Sequence, residues 1–209
     1  MITLYHVPRS RSVRSLWLLN ELGVPFRVVE MPFTMKALRA PEYLAISPAG
    51  RVPCIDDDGL VVFESGAIAQ YLCHRYDPGG LGRRPEHPEW VEWLEWIHFS
   101  ETMAVHASYL VQQANFVTPE SRSEAVVNLE RRRLRKTLEV IDRRLAGREH
   151  MLPSGFSAAD VAVAYSIFMG NLYASETGGL ENLLGYYERI KARPAFQASV
   201  PAEFYAKPG

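Results

Sequence analysis

The chain predicts an α+β first half followed by an all-α helical bundle. Three observations carry this. Short apolar runs bounded by turn residues fill the first 77 positions and alternate with stretches of helical spacing. A segment rich in turn formers and poor in apolar residues, Asp77-Pro78-Gly79-Gly80 to Pro88, then interrupts the pattern. Beyond it strand signals stop. The expected organisation is an α+β domain over 1–77, a linker over 78–88 and a helical domain over 89–209.

Taken in order, Ile2-Thr3-Leu4-Tyr5 alternates as a strand does. Val13, Leu16, Trp17 and Asn20 follow helical spacing, and Gly23 with Pro25 behind it stops that helix. Phe26 to Val29 reads as a second strand, and Lys36 to Ala45 as a short, proline-interrupted helix. Cys54 to Asp56 and Leu60 to Phe63 are strands around the turn signal Asp57-Asp58-Gly59. Ile68, Tyr71 and Leu72 continue a helix that begins at Ser65, which completes the order β-α-β-α-β-β-α. After the linker, Trp90, Trp93, Leu94 and Ile97 open a long aromatic-rich helix. Val127, Leu134, Leu138, Ile141 and Leu145 fall within roughly 60° on a helical wheel, and most of Arg131 to Lys136 points away from that stripe as a solvated face. Ser157-Ala158-Ala159-Asp160 reads as a capping box. The serine caps the Asp160 amide, the aspartate reaches back to the serine amide, and Phe156 and Val161 close a hydrophobic staple.

Composition narrows the function classes. With 209 residues and 47% apolar content the chain can bury a sizeable core, and a formal charge of -1 argues against a nucleic-acid partner. Cys54 and Cys73 lie in apolar contexts and form no Cys-x-x-Cys pair, so dithiol chemistry is unsupported. The His and Cys residues show no metal-ligand spacing. Arg9, Arg11 and Arg14 precede only a short apolar run, unlike a signal peptide, and no run approaches the roughly 18 apolar residues of a membrane span. A reducing, soluble, cytoplasmic setting is expected.

The stretch from Ser47 to Gln70 carries the chemistry. Val52-Pro53 places a residue without an N–H at the entrance of a strand, so this proline marks a strand start, an edge or a bend. Ten residues later a strand ends at Glu64-Ser65-Gly66 and a helix begins. A helix N-terminus has free N–H groups and positive potential, which suit an anion. Ser65 can add its hydroxyl to a bound carboxylate, and Glu64 can hold an ammonium group. Together they make a receptor for an amino-acid head group.

This combination resembles the glutathione S-transferase superfamily, and the wording Ser-Arg-Ser-x-Arg-x-Leu-Trp-Leu-Leu from Ser10 onward looks closest to its bacterial and fungal theta- or beta-like group. The resemblance implies a thioredoxin-like first half and a buried capping box in the helical half. It implies that a cis Val52-Pro53 bond presents backbone groups to the cysteinyl part of glutathione, while Glu64 and Ser65 hold the γ-glutamyl part. Arg51 matches a position whose basic side chain contacts the glycyl carboxylate, with Lys36 and Arg39 as weaker versions of the same idea. It also implies a homodimer, with Trp90 to Ile97 offering surplus apolar surface near the seam.

Such an enzyme must make a thiolate from a thiol of pKa about 8.5, and two units of lowering require roughly 2.7 kcal/mol. The resemblance places the activating group in the loop from Tyr5 to Arg14. Ser10 ranks first, four residues before Arg14; Ser12 follows, as donor or as helix cap; Tyr5 is third; and the neighbouring arginines could act without any hydroxyl. A pocket for a small hydrophobic electrophile is expected near Tyr5, Val7, Met103, His106, Tyr109 and Leu110. The expected function is conjugation of glutathione, as co-substrate and without a metal, to such electrophiles. The rival readings are a glutathione-dependent reductase, peroxidase or isomerase, and a non-catalytic glutathione-fold binding module.

Overall fold

The computed structural model describes residues 1–77, 80–173 and 177–201. Its first half contains β1 (Ile2–His6), α1 (Ser12–Leu22), β2 (Phe26–Glu30), α2 (Met35–Leu38), α3 (Pro41–Leu44), β3 (Cys54–Asp57), β4 (Leu60–Phe63) and α4 (Ser65–Tyr76). The sheet order is β2-β1-β3-β4, with β1 and β2 parallel and the other neighbours antiparallel. The thioredoxin-like arrangement and the helical half both match expectation. Gly23 closes α1 in a left-handed conformation at φ 64° and returns its N–H to Leu19. Asp58 and Gly59, at φ 51° and 94°, make the two-residue turn between β3 and β4.

Several boundaries differ from the sequence reading: β1 and β2 each run one residue longer, to His6 and Glu30, and two further changes have a physical reason. The segment 36–45 forms two single-turn helices, because Pro41 opens a new turn at its N1 position. β3 runs on to Asp57, since Asp57 still pairs with Leu60, and its carboxylate accepts the hydroxyls of Tyr71 (2.6 Å) and Tyr76.

The second half holds α5 (Trp90–Asn115), a 3₁₀ turn (Pro119–Ser121), α6 (Glu124–Arg144), α7 (Ala158–Tyr173), α8 (Glu181–Lys191) and α9 (Pro194–Ser199). The apolar stripe of α6 is real: Leu134, Leu138 and Ile141 are fully buried, while Arg131, Arg132 and Arg133 are exposed. The aromatics of early α5 are not surplus. Trp93 is fully buried, Trp96 packs edge-on to Phe99 beneath Arg144, and Val91 is the exposed large residue of that turn. Among the described residues no helix is long and apolar enough to cross a membrane.

One core runs through both halves. Trp17 of α1 meets the rings of Phe156 (6.2 Å) and Phe196 (5.0 Å), and Glu21 pairs with Arg193 at 2.7 Å. Residues 80–88 of the expected linker are pinned as well, with Leu81 O accepting from Trp93 Nε1 and from Ala158 N. Pro78 and Gly79 of that linker, and 174–176 and 202–209 of the second half, lie outside the described residues.

The capping box forms with one change of partner. Asp160 Oδ2 accepts from Ser157 N at 2.8 Å, but the serine hydroxyl caps Ala159 N (3.2 Å) rather than Asp160 N. Phe156 is drawn toward Trp17 and Arg193 instead of simply closing over the turn. Asp160 is fully buried and also accepts from Met151 N (2.9 Å) and Tyr186 Oη (3.0 Å). Asp160→Ala would therefore strand buried donors at about 1–3 kcal/mol each. Urea unfolding should show a loss of at least about 3 kcal/mol, with a smaller loss in Asp160→Asn, which keeps one acceptor oxygen. A loss below about 1 kcal/mol in the alanine variant would show that these bonds do not hold the helical half together.

Candidate active site

A cleft opens between the loop before β3 and the start of α4. Its walls include Arg11, Arg51, Val52, Pro53, Glu64 and Ser65. It encloses about 400 Å³ including its mouth, within the range of small-molecule sites. Five of these residues are ones the sequence singles out, and Arg11 is an addition. Lys36 and Arg39 are exposed and lie outside this lining.

The loop wall is built backbone first. The Val52–Pro53 peptide bond is cis. Arg51 O, just before it, accepts from Tyr43 Oη at 2.7 Å and Ser47 Oγ at 2.9 Å. Burial pushes the Tyr43 hydroxyl up to about 12, so it stays a donor at neutral pH. The helix wall depends on Glu64, whose φ of 72° and ψ of 121° lie where residues other than glycine rarely go. Such conformations cost of order 1–3 kcal/mol and cluster at functional sites. The kink turns the chain directly from β4 into α4, whose first intrahelical bond here is Ile68 N to Glu64 O. The first turn carries no acidic residue to compete for its N–H groups.

Beneath the cleft lies Arg14, which is buried. It donates to Ser65 Oγ (3.1 Å), Ser166 Oγ (2.8 Å) and Ser100 O (3.1 Å), and pairs closely with Glu101. Ser65, itself buried, therefore receives a cationic donor and keeps its own proton for an acceptor. That acceptor is Glu101 Oε1 at 2.9 Å. Burial would raise the Glu101 carboxyl, but Arg14 and Arg11 outweigh it and hold the group below its ordinary value.

The turn ahead of α1 places the serines. Arg9 sits at φ 59°. Ser10 is half-buried, and its Oγ accepts from Ser12 N at 3.2 Å, while the cap position itself falls to Arg11, whose side chain makes no capping bond. Ser12 is the first residue of the helix and is fully buried. Its Oγ lies 2.7 Å from Ser10 Oγ and 2.8 Å from His6 Nδ1, receives Val7 N at 3.0 Å and is 3.1 Å from Val7 O. Enclosed in this way, Ser12 is withdrawn from direct contact with a ligand. Ser10 is not itself part of the cleft lining; its neighbour Arg11 is.

The expected electrophile pocket is not brought together. On α5 at about 100° per residue, Ser108 lies within about 20° of Glu101, whereas Met103 and His106 lie about 160° and 140° away. Glu101 and Ser108 both meet Arg11 of the α1 turn, so theirs is the face that looks toward the cleft. Met103 is fully buried in the core, and His106 Nδ1 meets Glu130 of α6 at 2.7 Å. Leu110 is also buried, Tyr109 is exposed, and Tyr5 is half-buried with its ring 5.7 Å from Tyr43. Across from the α1 turn stand instead Glu101 and Ser108, with Tyr165 Oη 3.4 Å from Arg9 O.

Comparison with known proteins gives this arrangement a context. Residues 1–74 match the family model described as glutathione S-transferase, N-terminal domain. The chain is 31% identical to glutathione S-transferase 3 of Zea mays over 96% of its own length and 94% of that protein, and 33% identical to glutathione S-transferase 4 of Zea mays over 87% and 83%. Among solved structures, it is similar to a theta class glutathione S-transferase from Xanthomonas axonopodis pv. citri with glutathione bound. That match has a TM-score of 0.86 and 26% identity over 97% of this chain and 98% of the other. A glutathione transferase family member from Pseudomonas fluorescens with two glutathione bound gives 0.85 and 25% over 95% and 91%. On these likenesses along nearly its whole length, the chain belongs to the glutathione S-transferase family.

Proposed function

We propose that the protein transfers the thiolate of glutathione to small hydrophobic electrophiles. One observation carries the reading: a single cleft gathers Arg51, Val52, cis-Pro53, Glu64 and Ser65 beside an uncapped helix N-terminus. Each matches a part of the tripeptide. Glu64 is an exposed carboxylate suited to the γ-glutamyl ammonium. The α4 N–H groups suit the neighbouring carboxylate, and Ser65 joins them once its hydroxyl turns from Glu101 to the ligand. The Val52 backbone suits the cysteinyl unit, and Arg51 with Arg11 suits the glycyl carboxylate.

The thiol loses its proton to solvent, and the sulfur lone pair forms a C–S bond at the acceptor carbon. Either a leaving group departs with its electron pair, or the adduct takes up a proton. The protein's own cysteines are unsuited to the nucleophile's role. Burial pushes Cys54 up to about 11 and raises Cys73 further, so neither supplies a thiolate at neutral pH. Ser10, as the half-buried hydroxyl ahead of α1, is the proposed donor to the sulfur. A second copy of the chain is the proposed partner. β4 is an edge strand, and Leu60, Val61 and Phe63 on it are 51%, 39% and 41% exposed. Monomeric proteins seldom leave such an edge bare.

Three measurements test this. By calorimetry, Ser65→Ala and Glu64→Ala should each weaken glutathione binding by about 1–3 kcal/mol, roughly 5- to 150-fold; unchanged affinity in folded variants would refute the binding assignment. Ser10→Ala should raise the pKa of the bound thiol by about one to two units, read from thiolate absorbance against pH. It should also slow conjugation at neutral pH while leaving affinity at low pH nearly intact; an unmoved pKa would remove Ser10 from the role. Sedimentation equilibrium at micromolar concentration should give about twice the 23.7 kDa chain mass, and Phe63→Glu should lower it toward one chain. A single-chain mass for the unaltered protein would contradict the dimer.

A further inference from the structure

We infer that His6, a buried residue outside the cleft, is a positioning residue for thiol activation: its Nδ1–H, acting through Ser12, turns the proton of Ser10 outward to the sulfur. The inference rests on the reading of Ser10 as the thiol donor.

Valence at Ser12 Oγ sets the direction of these bonds. Ser12 Oγ has one proton and two lone pairs, and four polar neighbours within 3.1 Å. Val7 N can only donate, so it takes one lone pair. A single lone pair then remains, and His6 Nδ1 and Ser10 Oγ both lie within donating distance of it. If Nδ1 carries a proton, His6 takes that lone pair. Ser12 then sends its own proton to Ser10 Oγ or Val7 O, and Ser10 cannot donate inward in either case. The Ser10 oxygen already receives Ser12 N–H, so its proton is left to point out of the turn.

The opposite tautomer gives the opposite result. A bare Nδ1 takes the Ser12 proton. Ser12 then has a lone pair open to Ser10, and the Ser10 proton is drawn inward. Ser10 would present only lone pairs to a ligand, and lone pairs repel a thiolate. The tautomer of a ring buried beneath the sheet end thus decides whether Ser10 is a donor or an acceptor at the site. His6 is 5% exposed. Burial lowers its pKa against the opposing pull of Glu30, its partner on β2. A ring that is neutral at working pH has one N–H to place, and the thiolate chemistry requires it on Nδ1.

The test combines spectroscopy with variants. Nitrogen-15 NMR of histidine-labelled protein, with His6 assigned by its loss in His6→Asn, should show Nδ1 protonated and Nε2 bare. His6→Phe removes the donor and should raise the bound-thiol pKa by about half to one unit, less than Ser10→Ala does. Conjugation should be slowed at neutral pH and restored at high pH, with glutathione affinity at low pH unchanged. His6→Asn returns a planar N–H near the Nδ1 position and should recover the wild-type thiol pKa. An Nε2–H tautomer, or an unmoved thiol pKa in folded His6→Phe alongside a raised one in Ser10→Ala, would overturn the role of His6 and leave that of Ser10 standing. An unmoved pKa in Ser10→Ala would overturn both. If His6→Phe does not fold, the tautomer in the unaltered protein decides.

Discussion

The buried Arg14 guanidinium is the interaction on which the rest of the site depends. It leaves α1 and ends among Ser65 of α4, Ser100 and Glu101 of α5 and Ser166 of α7, with its charge 5.1 Å from the Tyr165 ring. Burial pulls its pKa down and Glu101 opposes that pull. A guanidinium stays charged in a protein, so the surroundings must answer it. Removing one partner of such a pair is strongly destabilising, whereas the intact pair adds little net stability. What the pair supplies here is geometry. Four helices from both halves meet one rigid, planar fork, and this sets the start of α4 in relation to the α1 turn.

Around that junction the backbone departs from local preference where a ligand would lie. Glu64 and Arg9 both occupy positive φ, at 72° and 59°, positions where glycine would cost less. Asp58, the third such residue, merely turns a hairpin, an ordinary use of that conformation. Arg9 turns as well, as the third residue of the Val7–Ser10 turn closed by Ser10 N to Val7 O, so Glu64 is the residue that breaks the local rule without a turn to explain it, and such a break marks function more often than folding. Both sites keep a charged side chain where glycine would be easier. At Glu64 the kink also delivers the α4 N-terminus to the cleft.

How much of this was legible in the sequence follows from the range of each signal. Periodicity and turn chemistry are local, so the strands, the Gly23 stop, the Asp58-Gly59 turn and the α6 stripe could be read directly. So could Val52-Pro53 and Glu64-Ser65, because each is a backbone request written in adjacent residues. The electrophile pocket could not. Choosing Met103, His106, Tyr109 and Leu110 by residue type ignored which side of α5 meets the α1 turn, and that is fixed by the long-range contacts of Arg11 and Arg14 with Glu101. Trp90 to Ile97 misled for a similar reason, since aromatics suit a core as well as an interface. Arg14 was visible as a spacing marker for Ser10 and as one of the arginines near the thiol, not as a buried junction. Its burial follows from the approach of α4, α5 and α7, which no local pattern encodes.

The same network bears on how a thiolate can be held at all. Arg11 and Arg14 sit close to the α1 turn, but Glu101 lies against both, and Arg11 also donates to Ser108. Two cations answered by one carboxylate leave a net charge of about one, shared between the buried Arg14 and the partly exposed Arg11. At 4 Å a unit charge pair is worth about 1 kcal/mol in water and about 4 kcal/mol near a protein surface, and it weakens with distance. Two units of thiol pKa require roughly 2.7 kcal/mol. The arginines reach that as an undirected field only at close contact, and the helix N-terminus adds only about 0.3–1 kcal/mol at an exposed site. A directed hydrogen bond to a charged acceptor, at about 1.5–3 kcal/mol, closes the gap. It does so only if the donor's proton already points outward, so the orientation of one half-buried hydroxyl becomes the decisive variable in the turn.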